Sequence, residues 1–185
     1  RYNSLRRNVL AGVDSYWLSQ PLRTAVQSRH SLTAAGGTEI FRYSLGINAG
    51  FQPGVMKGSS NNTKGVDFTM SYRKQRVTVG ANINLTETSG NNSPYGDFSA
   101  FSQANPYYRM TNDDGAYDQI LDNFTAAGST TVTNPLYNSN IGIKDLQRSL
   151  SIASSLNFEY MILDNLRLTE SLQYTRGTAR TEKFL

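Results

Sequence analysis

The segment TNDDGAYD, Thr111 to Asp118, gathers carboxylate and amide oxygens within a short span. Asp113 and Asp114 are adjacent, so on a strand they would point apart. Folded into a loop with Asn112, Gly115 and Asp118, they could wrap a hard cation such as calcium with oxygen ligands. The spacing is not that of an EF-hand loop. Asn, Asp and Gly are also the ordinary residues of a polar turn, so the sequence assigns no metal. His30 is the single histidine and cysteine is absent. That excludes a multi-histidine metal site, a thiolate site and a disulfide framework within this chain. A lone histidine with neither base nor metal beside it is structural rather than catalytic. No catalytic constellation and no cofactor motif is present, and the chain reads as a non-enzyme. Asn61 and Asn123 begin Asn-x-Thr triplets, which match a glycosylation pattern and read here as loop residues.

The aromatic segment SPYGDFSAFSQANPYY carries Tyr95, Phe98, Phe101, Tyr107 and Tyr108. Flat apolar rings with polar tips suit sugars and peptides, and suit a partner protein equally well. They also pack a long loop upon itself. The sequence leaves these three uses open. The net charge of +4 has no basic run behind it; Arg73, Lys74 and Arg76 are the nearest cluster, interrupted by Gln75. Nucleic acid is therefore not an expected partner, because such a surface needs a concentrated basic stripe with stacking aromatics.

These groups must be positioned by strands. Hydrophobic residues are 38% and charged residues 17% of the 185, both low for a solvated globular domain. Asn, Ser, Thr, Gly and Tyr fill the gap, a mix that favours strands and polar loops. Six segments alternate with period two: AVQSRHSLTAAGG, FRYSLGINAGFQ, GVDFTMSYRK, RVTVGANINLTET, SLSIASSLNFEYMIL and NLRLTESLQYTRGTAR. No window competes as an amphipathic helix of three turns. No run approaches 18 apolar residues, which excludes a transmembrane helix and leaves barrel strands open. The opening RYNSLRRNVLAG lacks a long apolar core and does not read as a secretory signal.

In FRYSLGINAGFQ, Phe41, Tyr43, Leu45, Ile47, Ala49 and Phe51 alternate with Arg42, Ser44, Gly46, Asn48, Gly50 and Gln52. In a soluble protein the apolar set would be the core; in an outer-membrane barrel it faces lipid and the polar set lines a lumen. The connections favour the barrel. Gly36–Glu39, Arg73–Arg76 and Leu163–Asn165 are hairpin-tight, whereas Pro53–Lys64 and Thr88–Arg148 are long. With antiparallel neighbours, the tight turns fall at one end and the long loops at the other, the asymmetry of outer-membrane barrels. Ten steps from Phe41 to Phe51 span roughly 33 Å, which at about 40° of tilt gives the ~25 Å apolar band of such barrels.

The expected architecture is thus all-β, an antiparallel transmembrane β-barrel segment with about six visible strands. Residues 1–24 are a loop or strand lead-in, 25–87 four barrel strands, 88–148 a long extracellular loop and 149–185 two further strands. Membrane barrels start at about eight strands, and bilayers do not tolerate open sheet edges. The segment therefore reads as one piece of a larger barrel. A competing expectation is a secreted β-sandwich that binds glycan through its aromatic loop. A surface or adhesin repeat finds no support, because no internal repeat is visible.

Four stretches carry a family likeness: DSYWLSQPLRTAVQSRHSL (Asp14–Leu32), GGTEIFRY (Gly36–Tyr43), PGVMKGS (Pro53–Ser59) and NNSPYGDFSAFSQANPYYR (Asn91–Arg109). In this order they resemble SusC-type, or SusC/RagA-like, TonB-dependent transporters of the Gram-negative outer membrane. The resemblance covers most of residues 10–110. It implies a barrel of about 22 strands plugged by an N-terminal domain, a SusD-like lipoprotein over the mouth, TonB acting through the plug, and a glycan or peptide cargo. The present chain would lie in the barrel just after the plug and would act only with the plug and the remaining barrel. On this reading Arg42, Asn48, Asp67, Arg73, Asn82, Asn84, Arg167 and Gln173 face the lumen and the plug. Gly46, Gly50 and Gly80 would leave room for the plug's backbone, and the loop aromatics would meet the lid protein or the cargo.

Overall fold

A computed structural model describes residues 2–126, 128–140 and 144–184. All six alternating segments form strands: β1 (Ser28–Gly37), β2 (Phe41–Phe51), β3 (Ser60–Lys74), β4 (Val77–Asn91), β7 (Lys144–Leu163) and β8 (Leu166–Phe184). They make one antiparallel sheet in the order β1-β2-β3-β4-β7-β8. A separate hairpin, β5 (Ile120–Ala126) with β6 (Gly128–Thr133), is inserted between β4 and β7.

The strands run further than alternation alone predicts. β4 continues to Asn91 and β7 begins at Lys144, which shortens the expected loop of 88–148 from both ends. Positions 127 and 141–143 of that loop lie outside the described residues. The remainder is organised rather than irregular, with a short helix α2 (Phe98–Ser102) and the β5–β6 hairpin. Asn123 lies on β5 and Asn61 on β3, so neither glycosylation-like triplet starts in a loop. The expected lead-in of residues 1–24 contains a helix, α1 (Tyr2–Leu10). At 9 residues it is shorter than the window in which apolar periodicity is legible.

The register joins the apolar alternates of all strands into one face. Ile47 stands opposite Leu32 and Val66, and Leu45 opposite Ala34 and Phe68. Phe68 faces Ile83, Leu85 faces Ile152, Val79 faces Phe158, and Leu156 faces Leu172. A slip of one residue in any ladder would break this continuity, because each step reverses the face.

The tight turns are staggered. Phe41, the first residue of β2, stands opposite Tyr72, and β3 continues two residues to Lys74 before the chain turns back. Val77 then stands opposite Tyr160, and β7 continues three residues to Leu163. Over the four strands involved, at ~3.3 Å per residue and ~4.8 Å per strand, this stagger corresponds to a tilt of about 40° from the normal to the plane of the turns. Membrane barrels tilt their strands by about 35–45°.

The first turn depends on Gly37. Its φ is +137°, and a Cβ there would lie 2.1 Å from the Phe41 carbonyl oxygen. The turn is also held by Thr38, whose hydroxyl accepts from the Ile40 and Phe41 amides. Gly37→Ala is expected to cost about 1–3 kcal/mol, the range for a non-glycine residue forced into sparsely populated backbone. Thermal unfolding of the protein measures this; an unchanged midpoint would mean that the turn has another conformation.

Packing separates the chain into two regions. Among the described residues, the buried large side chains are Trp17, Phe101, Tyr108 and Leu136, all on the loop side. Among the described residues of the six-stranded sheet only Gly65 is buried. No second sheet covers either face of the six-stranded sheet among the described residues.

Candidate functional site

The polar face is built by the strand alternates that the apolar face leaves. Arg42, Asn48, Asp67, Arg73, Asn82, Asn84, Arg167 and Gln173 all project from this one face, as the ladders require. The structure brings three of them into contact. The Asp67 carboxylate accepts from Asn48 Nδ2 at 3.1 Å and also from Asn84 Nδ2, so one side chain of β3 ties β2 to β4. Thr86 extends the chain by donating to Asn84 Oδ1 at 3.1 Å. Asn82 Nδ2 reaches Ser155 Oγ at 3.4 Å, towards the side of Gln173, which is Ser155's ladder partner. Arg167 pairs with Glu159 at 3.4 Å near the third turn. Arg42 and Arg73 lie near the tight-turn end, away from Asp67.

Space on this face is shared unevenly. A Cβ at Gly65 would fall 2.8 Å from the Asn48 amide, so this glycine is what lets Asn48 lie across β3 to reach Asp67. Sequence reasoning named Asn48 and Asp67 but not Gly65, because the need arises only once the register sets Gly65 opposite Asn48. A Cβ at Gly46 would meet the Asp67 carboxylate at 3.5 Å, whereas one at Gly80 would meet nothing within 4 Å. Room for another backbone therefore exists at Gly80 and is reduced at Gly46.

Asp67→Ala would leave two amide donors without their acceptor, and Asp67→Asn would keep one carbonyl oxygen for them. The alanine variant is expected to lose about 0.5–1.5 kcal/mol and the asparagine variant less. Comparing melting midpoints of the two full-length variants checks this; equal losses would show that the carboxylate does not carry the network.

The loop side has its own scaffold. Trp17 Nε1 donates to the Asn105 carbonyl at 2.9 Å, and Ser15 Oγ donates to the Tyr108 carbonyl at 2.7 Å. Tyr108 hydroxyl donates to Asp122 Oδ2 at 2.7 Å, which links the aromatic loop to the β5–β6 hairpin. Asn134, itself buried, donates to the Met110 carbonyl at 2.9 Å and accepts from the Leu136 amide at 3.0 Å. Arg23 clamps the loop between β2 and β3, donating to the carbonyls of Gly54 and Ser59 at 3.1 and 2.8 Å. Lys57 returns the contact by donating Nζ to the Gln20 carbonyl at 2.6 Å. The stretches Asp14–Leu32 and Pro53–Ser59 thus hold each other.

The five loop aromatics divide between packing and surface. Phe101 and Tyr108 are buried at 1% and 5% exposure, and Tyr95 leans on Phe101 with ring centroids 6.1 Å apart. Phe101 and Tyr108 therefore take the packing use among the three that the sequence left open, and offer no surface to a ligand or partner in this conformation. The physical reason is Trp17 and Leu136, which arrive from distant sequence and complete a core around them. Phe98 and Tyr107, at 41% and 43%, remain exposed.

The Asp113–Asp114 segment is a turn organised by Asn112. Its Oδ1 accepts from the amides of Asp114 and Ala116 at 3.1 and 2.9 Å, and its Nδ2 donates to Asp118 at 3.0 Å. Arg109 pairs with Asp113 at 3.4 Å. Among the described residues no three His, Asp or Glu side chains gather as metal ligands do. His30 lies on the apolar face, edge-on to Phe51 at 6.4 Å.

No family model matches the sequence, and no curated protein matches it significantly. Solved structures do match by shape. The RagAB peptide importer in its 'closed-closed' state superimposes with a TM-score of 0.66 at 17% identity, over 92% of this chain and 20% of that one. The fold is that of one stretch of a RagAB importer chain. The 'open-open' state of RagAB gives 0.65 at 17% identity over 92% and 19%, and a further RagAB peptide transporter structure gives 0.62 at 16% over 93% and 20%. This chain spans about a fifth of the length of those RagAB chains. The match takes in both regions, since 92% of the chain exceeds what the six strands alone supply. Loop scaffold and sheet together are thus the unit shared with RagAB.

Proposed function

We propose that this chain is a wall segment, with its extracellular loops, of a SusC-type TonB-dependent outer-membrane transporter that imports glycan or peptide nutrients. The observation that carries the reading is the uncovered apolar face. Leu45, Ile47, Ile83, Leu156 and Leu172 lie on one continuous face and are each more than a third exposed. Apolar area of this size on a water-facing sheet is unfavourable at about 25 cal/mol per Å², and lipid removes the penalty. The turn stagger and the RagAB likeness support the same reading.

The polar face would then look into the lumen. Arg42, Asn48, Asp67, Arg73, Asn82, Asn84, Arg167 and Gln173 would meet the plug or the cargo path, with Gly80 the place of closest approach. Phe98 and Tyr107, on the loop platform, would meet a SusD-like lipoprotein or the cargo itself. Import would require the plug and TonB, and the chain's location would be the Gram-negative outer membrane. The sandwich alternative needs a sheet packed over the apolar residues, and the described residues contain none.

The test is genetic and biochemical. Deleting the reading frame that contains this sequence should abolish uptake of labelled oligopeptide or oligosaccharide mixtures, and deleting TonB should do the same. The full-length product should be found in the outer-membrane fraction and change electrophoretic mobility on heating. A product released without detergent as a soluble, cooperatively melting monomer would overturn the reading.

A further inference from the structure

We propose that the lipid-facing side of β7 and β8, where the apolar band ends, binds the phosphorylated headgroup of an outer-leaflet lipid. The inference rests on the membrane reading above. Arg148 and Arg180 stand directly opposite each other in the β7–β8 ladder, on the face that carries Leu156 and Leu172. Like charges in that position repel. Glu87 pairs with Arg148 and Glu182 with Arg180, so each carboxylate answers one guanidinium. Arg176, two steps below Thr178 on the same face, has no ion pair among the described residues, and Lys64 stands opposite Glu87. Between the levels of Arg176 and Glu182 the face therefore carries two more cations than anions.

Height selects the ligand. Ten residues separate the turn residue Leu166 from Arg176, which at the observed tilt is about 25 Å above the plane of the turns. That is the height of the apolar band. Arg148 and Arg180 lie about 10 Å higher, among headgroups. Between them is a hollow of about 400 Å³ lined by Glu87, Arg148, Leu150, Thr178 and Arg180. Its wall is apolar below, at Leu150, and cationic above. A lipid with a phosphate on its headgroup meets both parts: its chain or first carbons lie along Leu150, and its phosphate oxygens accept from the planar guanidinium forks. Bound there, the phosphate would also relieve the Arg148–Arg180 repulsion.

The experiment uses the full-length protein purified from outer membranes in mild detergent. Native mass spectrometry would count retained phosphorylated glycolipid for wild type, for Arg148→Gln/Arg180→Gln, and for the charge-matched control Arg6→Gln/Arg7→Gln on helix α1. Wild type and control should retain it alike, and the sheet variant about tenfold less, as expected for loss of two charge-assisted contacts. Equal retention by all three would overturn the site. A second measurement needs no variant. Wild type in phosphatidylcholine nanodiscs should melt higher with bisphosphorylated lipid A than with the dephosphorylated lipid, and inorganic phosphate should not substitute. Equal midpoints with the two lipids, or full substitution by inorganic phosphate, would also overturn it. If the protein instead fractionates as soluble, the membrane reading fails; if it is a heat-modifiable barrel without lipid preference, only this site fails.

Discussion

Ile83→Lys will prevent most of the full-length protein from assembling as a heat-modifiable barrel, while Asn82→Lys, its immediate neighbour, will be tolerated. The two residues sit side by side on β4 and point to opposite faces. Ile83 is 47% exposed, with Phe68 and Ser154 as its ladder partners. It lies six residues above Val77, close to the middle of a band reached in about ten steps. A cation at the bilayer midplane on the lipid face costs about 2–4 kcal/mol, a large share of a protein's net stability. Asn82 faces the polar side, where its amide makes only a 3.4 Å contact to Ser155, so a lysine there can stay hydrated. The fraction of each variant that shifts mobility on heating is the readout. Equal assembly of both would remove the lipid-facing assignment, and the reverse order would invert the two faces.

Trp17→Ala will release the loop scaffold and leave the sheet assembled. Trp17 is 2% exposed and packs in one cluster with Phe101, Tyr108 and Leu136. Truncating a buried tryptophan to alanine costs about 3–5 kcal/mol, and the Asn105 carbonyl also loses its donor. The described sheet does not share this core, so the penalty falls on the loops alone. Protease added to intact cells should cut between residues 92 and 140 in the variant and spare the wild type, with heat-modifiable mobility retained. Tyr107→Ala, on the same loop but 43% exposed, should leave the cleavage pattern unchanged. An uncut Trp17→Ala protein would show that other contacts hold the loops.

The sheet face and the loop core depend on information of different reach. The apolar face was readable from FRYSLGINAGFQ and its neighbours, because period-two alternation is a property of each strand alone. The loop core was not. Tyr95, Phe98, Phe101, Tyr107 and Tyr108 were visible as a group, yet only contacts with Trp17, 88 positions from Asn105, and with Leu136 separate the buried rings from the exposed ones. Helix α1 left little trace because a 9-residue helix offers too few turns for periodicity to register. The Asp67 network was half visible: its residues were named on the polar face, but their meeting depended on Gly65 standing opposite Asn48.

By itself the sequence determined six alternating strands, the sorting of short and long connections, and the choice of residues for each face. These are local properties, set by side-chain chemistry at successive positions. Only the tertiary structure decided the register that fuses six apolar stripes into one surface, the turn stagger of about 40° of tilt, and the loop core around Trp17. Each of these is a relation between residues far apart in the chain, where the closure of a ladder or of a packed cluster selects one arrangement among many that local pattern permits.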